Sequence, residues 1–363
     1  MPDQAQQFQY ITNRQVLGMF FEALEQYLGQ IWIDKLSNTF ESNQITETYA
    51  GIGNPPQMRE WVGSKQRKGF LEFSTTITNR DWESTIEFKN KDLRRDKTGQ
   101  VEAKIGEFAQ RALSHDALVI SALINGGTSS TVAITGAASA TIKCYDGQPL
   151  FSTSHTIGTT ALSNSITLSL GTLATALGTS VGVGTTTNPT PAAFSAAIQA
   201  AVTQLYGFTD DQAQPINEFA REFVVMVPVA FAGAAAAAVK GQYLALGYTN
   251  PLLDNLAPSL QDMKFTVVPN PRLTWTNQFA VFRTDCPFKA ILRQYEDLTA
   301  SASPEMQFGK RDGAAAGTGL IMKVLAEGSD WEFNNNSRLY SLEKSAFAGY
   351  GRFDTCVLQQ FVS

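Results

Sequence analysis

Apolar residues recur along this chain in blocks of different period, and the changes of period mark its elements. From Asn13 the positions Val16, Phe20, Leu24, Tyr27 and Ile31 fall at helical spacing, which predicts an amphipathic helix with Asn13 as its N-cap. A polar stretch, Ser37 to Thr48, follows. Helix and stretch together read either as an arm that docks on another surface or as an ordinary first core helix. Between Trp61 and Lys91 the period drops to two, through Phe70, Leu71 and Phe73 and then Trp82, Thr85, Ile86 and Phe88. With Thr78–Asn79–Arg80–Asp81 as a turn between the halves, this is a β-hairpin pattern. After Gly99 the period is helical again. Val101, Ile105, Phe108, Ala112, Val119 and Leu123 form one stripe, with Glu102, Lys104, Glu107 and Arg111 opposite. The result is a helix of roughly 25 residues, twice the common length, stopped by Asn125–Gly126–Gly127.

Downstream, Pro191 opens a helix carrying Phe194, Ile198, Ala201, Val202 and Leu205. Phe223 to Val227 reads as a buried strand stopped by Pro228, and Ala230 to Val239 as a helix of small residues that packs closely. Phe265–Val268, Gln278–Phe282 and Phe288–Tyr295 read as further strands, and Ser337 to Phe361 is loosely strand-like. Helices and strands mix without a regular strand–helix–strand rhythm, so the fold class is α+β.

Charge changes the picture because it is unevenly spread. Residues 59–116 hold 22 charged side chains in 58 positions, whereas 126–190 hold only Lys143 and Asp146 in 65. In that second stretch 41 residues are Ser, Thr, Ala or Gly, a composition unable to build a large core of its own. It is expected to be a surface insertion of short Thr-rich strands, ordered by its neighbours. Over the whole chain charged residues are only 17%, below the usual ~25%, which suits either a very compact chain or a surface covered by partners. The net charge of −5 argues against a dedicated nucleic-acid binder, though not against an object that encloses nucleic acid without gripping it.

Cys144, Cys286 and Cys356 are an odd number with no CxxC spacing, which supports neither a disulfide framework nor a zinc ribbon and fits a reducing cytoplasm. The first ten residues carry no basic and apolar leader pattern, so no secretory signal is expected. The longest uncharged apolar run, Phe223 to Val239, is 17 residues long and interrupted by Pro228, shorter than a span needs. A soluble protein without a membrane partner is expected.

Candidate chemistry is sparse. Of the two histidines, His115 neighbours Asp116 on the long helix, where adjacent side chains diverge, and reads as part of a solvated or capping pair. Cys144, Asp146, Ser152, Ser154 and His155 fall within a dozen residues, which a Cys–His nucleophile or a metal site would need. Proximity along a chain is not that geometry, and a turn at Asp146–Gly147 in an ordered loop is the favoured reading. Asp210–Asp211 reads as a solvated loop. Neither a phosphate-binding glycine loop nor an HExxH or GxSxG motif occurs. No enzyme, cofactor or metal is expected. The 12 basic residues of 59–116 are interleaved with 10 acidic ones, which cancels a long-range field and suits register-specific contacts between copies of one protein.

In this order of elements the segments REWVGSKQ (59–66), WESTIEFKNKDLRRDKTG (82–99) and CYDGQPLFSTSH (144–155) stand out. They resemble the Mu-like prophage major head subunit family, within the tailed-bacteriophage major capsid proteins of the HK97-type fold. The resemblance implies an N-terminal arm at 1–50 and an extended loop (β-hairpin) at 51–96 lying over the adjacent subunit. A peripheral domain with a spine helix would occupy 97–130, the Ser/Thr/Gly/Ala-rich insertion 131–190, an axial domain 191–287, and closing strands 288–363 would return to the peripheral domain. It places Trp61, Arg67, Trp82 and Glu83 on the loop and Arg94, Arg95 and Asp96 at its base, all as inter-subunit contacts. The implied function is a major head protein, assembling into hexamers and pentamers of an icosahedral shell around double-stranded DNA. The virion is its implied location, after assembly in the host bacterial cytoplasm. Separate scaffold and portal proteins are implied partners, with a cement protein on the insertion as a further one. The rival readings are a compartment shell of the same fold holding protein cargo, or another virion structural protein, and a hydrolase using Cys144 or His155.

Overall fold

The computed structural model describes residues 11–27, 32–52, 60, 72–96, 99–177, 182–241, 243–245, 248–249, 263–296, 320–325 and 329–363. In chain order the principal elements begin with α1 (Asn13–Tyr27), α2 (Ile33–Leu36), β1 (Ser37–Ser42), β2 (Thr46–Ile52), β3 (Glu72–Thr78) and β4 (Arg80–Lys89). They continue with α3 (Asn90–Arg95), α4 (Gln100–Asn125), β5 (Ser165–Ser169), α5 (Leu170–Leu177), α6 (Pro191–Tyr206), β6 (Glu222–Val227) and α7 (Ala232–Lys240). The last are β7 (Lys264–Pro269), β8 (Gln278–Arg283), β9 (Ile291–Glu296), β10 (Leu320–Val324), α8 (Asp330–Asn335), β11 (Ser337–Tyr350) and β12 (Cys356–Val362). The α+β class expected from the sequence is the one observed.

Helix α1 opens on a reciprocal cap. The Gln15 amide donates to the Thr12 hydroxyl at 3.3 Å, and the Thr12 amide to the Gln15 side-chain oxygen at 2.8 Å. Thr12, rather than Asn13, is therefore the cap, and Asn13 Oδ1 accepts hydrogen bonds from Arg338 and Tyr340 instead, at 2.9 and 2.8 Å. Val16, Phe20 and Leu24 are buried within the chain's own core, so α1 is a core helix. The polar stretch behind it is not an arm either. β1 lies parallel to β9, with Ser37 opposite Ile291 and Ser42 opposite Glu296.

The expected hairpin between β3 and β4 is corrected by the pairing. β3 runs antiparallel to β2, Thr46 opposite Thr78 and Ile52 opposite Glu72, whereas β4 runs antiparallel to β11, Lys89 opposite Ser337. The chain passes almost straight from β3 to β4 and changes partner at buried Asn79, whose amide donates to Ile45 O at 2.7 Å and whose side chain donates to Gln44 O at 3.3 Å. Alternation marks a half-buried strand whatever its partner is, and Thr78–Asn79–Arg80–Asp81 lacks the glycine that a tight hairpin turn favours. The ribbon is thus β2 with β3, and residues 53–59 and 61–71 between them lie outside the described residues.

Two five-stranded sheets organise the rest. In the first, β11 pairs with β4 along one side and with β9 and β10 along the other, and β1 extends it beyond β9. In the second the order is β7-β6-β8-β12-β5, with β7 and β5 parallel to their neighbours and the central pairs antiparallel. Because β5 belongs to the low-charge stretch, that stretch is no surface insertion. Val132, Ile134, Ile142, Leu150, Phe151, Ile157 and Leu162 are buried in the same cluster as Val224, Val225 and Phe282. Its few apolar residues are spaced so that each reaches a core supplied by other segments, which composition alone does not reveal.

Helix α4 spans about 39 Å at 26 residues and joins both cores. Its first half packs Val101, Ile105, Phe108 and Leu113 with α1, Leu93, Phe88, Leu320, Met322 and Tyr340. Its second half packs Val119, Ile120, Leu123 and Ile124 into the larger cluster with the second sheet, α6 and α7. The glycines after it serve close approach, not a left-handed turn: Gly126 has φ −88°, and a Cβ on Gly127 would stand 2.7 Å from the buried Phe151 ring. Gly127→Ala is therefore expected to destabilise the fold by roughly 1–3 kcal/mol. Gly233→Ala, in open space on α7, should stabilise it by about 0.4–1 kcal/mol. Urea midpoints of the two variants against the parent chain check both.

Candidate functional site

Strand alternation divides β4 cleanly. Arg80, Trp82, Ser84, Ile86 and Phe88 share the face turned to the molecule, and Asp81, Glu83, Thr85, Glu87 and Lys89 the other, where all five are exposed. On the inner face the Trp82 indole N–H donates to Ala346 O at 2.9 Å and its ring meets His115 edge-on at 4.3 Å. Arg80 donates to Ala138 O at 2.6 Å and lies over the Phe347 ring at 4.8 Å. On the outer face Glu83 stands directly opposite Glu343 on β11. Like charges so placed weaken a ladder. Lys323 answers Glu343 at 2.5 Å, but Glu83 finds only the Thr85 hydroxyl at 3.2 Å and no cation among the described residues.

Of the residues the sequence singled out, Trp61 and Arg67 lie outside the described residues. Trp82 is turned inward, Glu83 outward. Arg94 and Arg95 are exposed on the last turn of α3, where cations complement the helix dipole. Asp96 accepts the amides of Gln100 at 3.1 Å and Val101 at 2.8 Å, so its carboxylate holds the start of α4. The structure thus brings Arg94, Arg95 and Asp96 together at one end of β4 and keeps Trp82 apart from them.

The β2–β3 ribbon is rooted on the first sheet. Tyr49 donates to Gln294 at 2.9 Å and packs against Phe40 at 4.9 Å between ring centroids. Burial, with the nearby Glu47 charge, pushes its phenol up to about 12. Ile77 fills the space over Gly349, where an added Cβ would stand 2.9 Å away.

Sequence reasoning missed an ion cluster where α4 passes from one core to the other. Asp116 meets Lys344 at 2.5 Å and Arg293 at 3.6 Å, and Arg293 also reaches Asp34 and, at 2.6 Å, the Thr39 hydroxyl. The pair expected to be solvated is therefore engaged: Asp116 is one quarter exposed and Lys344 only 7%. Burial alone would raise the Asp116 carboxyl; Lys344, His115 and Arg293 outweigh it and hold it far below the usual carboxylate range. The one available signal was Lys344 itself, the only lysine in the strand-like tail Ser337 to Phe361.

The Cys144–His155 segment is a packed knot. His155 is fully buried, with Nδ1 2.7 Å from Asp146 Oδ2, Nε2 3.2 Å from Leu150 O, and its face stacked on Phe353 at 3.9 Å. Asp146 also accepts the amides of Gln148 and Thr156, at 3.1 and 3.2 Å. Burial raises its carboxyl, but the His155 contact and these amides bring it below its ordinary value. Cys144 is buried, and burial first, then the neighbouring Cys356, pushes its thiol well up. A thiol so placed is a poor nucleophile. Asp210 is also buried, its Oδ1 accepting the amides of Gln212 and Gln214 at 2.8 and 2.9 Å, so the expected solvated loop is an ordered turn. Among the described residues no group of three His, Cys, Asp or Glu side chains is placed to hold a metal, and no helix is long and apolar enough to cross a membrane.

Residues 14–173, from α1 through β5, match the family model of the Mu-like prophage major head subunit gpT. Over 125 residues, 34% of this chain, the sequence is 27% identical to the Mu-like prophage FluMu major head subunit of Haemophilus influenzae and 25% identical to the major capsid protein of Escherichia phage Mu. The matched stretch spans 36% and 37% of those relatives, little more than a third of their length. Among solved structures, the capsid of the Cyanophage P-SCSP1u aligns with TM-score 0.49 at 10% identity, over 92% of this chain and 88% of that one. The procapsid of bacteriophage JBD30 aligns with TM-score 0.46 at 15% identity, over 96% and 76%.

Because the folded-state acidity of Asp116 exceeds its ordinary value, its contribution is present above the unfolded carboxylate pKa, ~3.9, and fades as pH falls through that range. Asp116→Asn should flatten the acid limb of a stability–pH curve measured by urea unfolding. At pH 7 Asp116→Ala, which strands Lys344, should cost on the order of 3 kcal/mol, and Asp116→Leu with Lys344→Met less than that.

Proposed function

We infer that this chain, whose residues 14–173 belong to the Mu-like prophage major head subunit family, is the major capsid protein of a tailed bacteriophage. The carrying observation is that family match. It runs through the rooted ribbon, the outward-charged β4, the bridging α4 and the 144–155 knot, so it covers the parts of the chain that would meet neighbours as well as those that hold the fold. In this reading the fold is HK97-type, with α4 as the spine, the first sheet as the peripheral domain and the second as the axial one. The protein acts mechanically. Its copies assemble in the host bacterial cytoplasm into hexamers and pentamers of an icosahedral shell that becomes part of the virion. The shell encloses double-stranded DNA without gripping it, which the net charge of −5 favours. Scaffold and portal proteins are separate chains, and a cement protein is a further partner.

Charges of both signs on the outer face of β4 and on α3 supply register: each modest contact is repeated at every subunit boundary, and a wrong neighbour meets like charge. Trp82 contributes by holding β4 to β11 through Ala346 and to α4 through His115, and Asp96 by holding α3 against the start of α4, so both would orient the contacts of their neighbours.

Negative-stain electron microscopy of the purified chain tests the reading. Closed shells, tubes or capsomer rings are expected, and phage particles built from the chain should yield nuclease-protected double-stranded DNA instead of protein cargo. Arg94→Glu with Arg95→Glu should abolish shells while the circular dichroism spectrum stays that of the parent and the unfolding free energy from urea falls by no more than about 2 kcal/mol, the loss of two cations from the helix C-terminus. Normal particles from that variant would remove the two arginines from the interface.

A further inference from the structure

Two surface patches at opposite ends of β4 are complementary in chemistry. At the α3 end, α8 is fastened by Glu332, which accepts hydrogen bonds from Asn90 at 3.1 Å and Arg338 at 3.0 Å. On it Phe333 is 87% exposed and Trp331 44%, and Leu325 nearby is also exposed. Three large apolar side chains on one short connection, with Arg95 exposed at the same end of β4, match the composition of binding hot spots: aromatic anchors beside arginine. At the other end, Ile45 accepts the Asn79 amide one residue before β4 starts, and its side chain is 71% exposed. From that end Asp81 and Glu83 run along the outer face of β4, exposed and acidic, with Glu83 facing Glu343 across the ladder and meeting no cation among the described residues. Arg80 does not neutralise them, because its guanidinium is spent on Ala138 O and Phe347.

We propose that these ends meet between copies: Phe333 and Trp331 of one subunit pack on Ile45 of the next, and Arg95 of the first pairs with Glu83 of the second. The occupant of the aromatic patch is thus a second copy of this chain. Ile45 and α8 lie at opposite ends of β4, roughly 30 Å apart, and Glu83 is roughly 20 Å along the strand from Lys89 at the α3 end, too far for either contact to form within one subunit. The contact is head-to-tail, and contacts of that type close into rings or extend into lattices instead of stopping at a dimer. This inference rests on the capsid reading and adds to it the side chains of one subunit boundary.

Cysteine cross-linking tests it directly. Air oxidation of the chain carrying Ile45→Cys and Phe333→Cys should give a ladder of trimers, tetramers and longer species on a non-reducing gel, and neither single variant should pass the dimer. The native Cys144 and Cys356 are buried, and the partly exposed Cys286 is replaced by Ser in every variant to keep that background low. In parallel, Glu83→Arg should abolish assembly seen by electron microscopy, and Glu83→Arg with Arg95→Glu should restore it. Absence of the ladder, or normal particles from Glu83→Arg, overturns the proposal. Shells from the parent without the ladder would reject this contact and keep the capsid reading. A ladder from a chain that forms neither shells nor rings would keep the contact and reject the capsid reading.

Discussion

Helix α4 is the element on which the rest of the molecule depends, because each of the two hydrophobic cores claims one half of it. A helix of this length is not stable on propensity alone; it is held by the apolar stripe it buries, first against α1 and the first sheet and then against the second sheet and α6. Bending it would separate the cores. Asp116 lies at the crossover, and its contacts with Lys344 and Arg293 tie β11 and β9 to the helix between the two stripes. A carboxylate there is tolerable only because both cations are present; apolar packing on either side excludes much of the water that would otherwise solvate it.

That fixed axis gives the charged strand its orientation. β4 hangs on β11 by a ten-residue ladder and on α4 by the Trp82–His115 contact, so its inner face is spoken for and its outer face is free to carry charge. A strand so exposed would invite indiscriminate pairing if it were apolar; acids along it permit only a partner with matching cations. Glu83 is the exception within the chain, because its position opposite Glu343 on β11 weakens the ladder.

The Ser-, Thr- and Gly-rich stretch shows how little core a segment needs of its own when others provide it. His155, Asp146 and Phe353 pin it to the turn before β12, and β5 completes the second sheet beside β12. Chemistry that looks catalytic in one dimension is used here for packing: both histidine nitrogens face acceptors, and the cysteine is sealed.

Local periodicity determined a good deal. The long helix with its Val101–Leu123 stripe, the Pro191 helix, the Phe223–Val227 strand and the α+β class all follow from spacing and stop residues, which act over a few positions. The motifs at 59–66, 82–99 and 144–155 carried the family resemblance, and the outward placement of Glu83 was legible because alternation and exposure go together along a strand. What tertiary structure alone decided was pairing. β3 takes β2 and β4 takes β11 because Asn79 holds the chain in line, and no alternation pattern names a partner some 250 residues away. Asp116 found Lys344, and the low-charge stretch found its core, for the same reason: burial is a property of the surroundings a residue folds into, and those are assembled from distant parts of the chain.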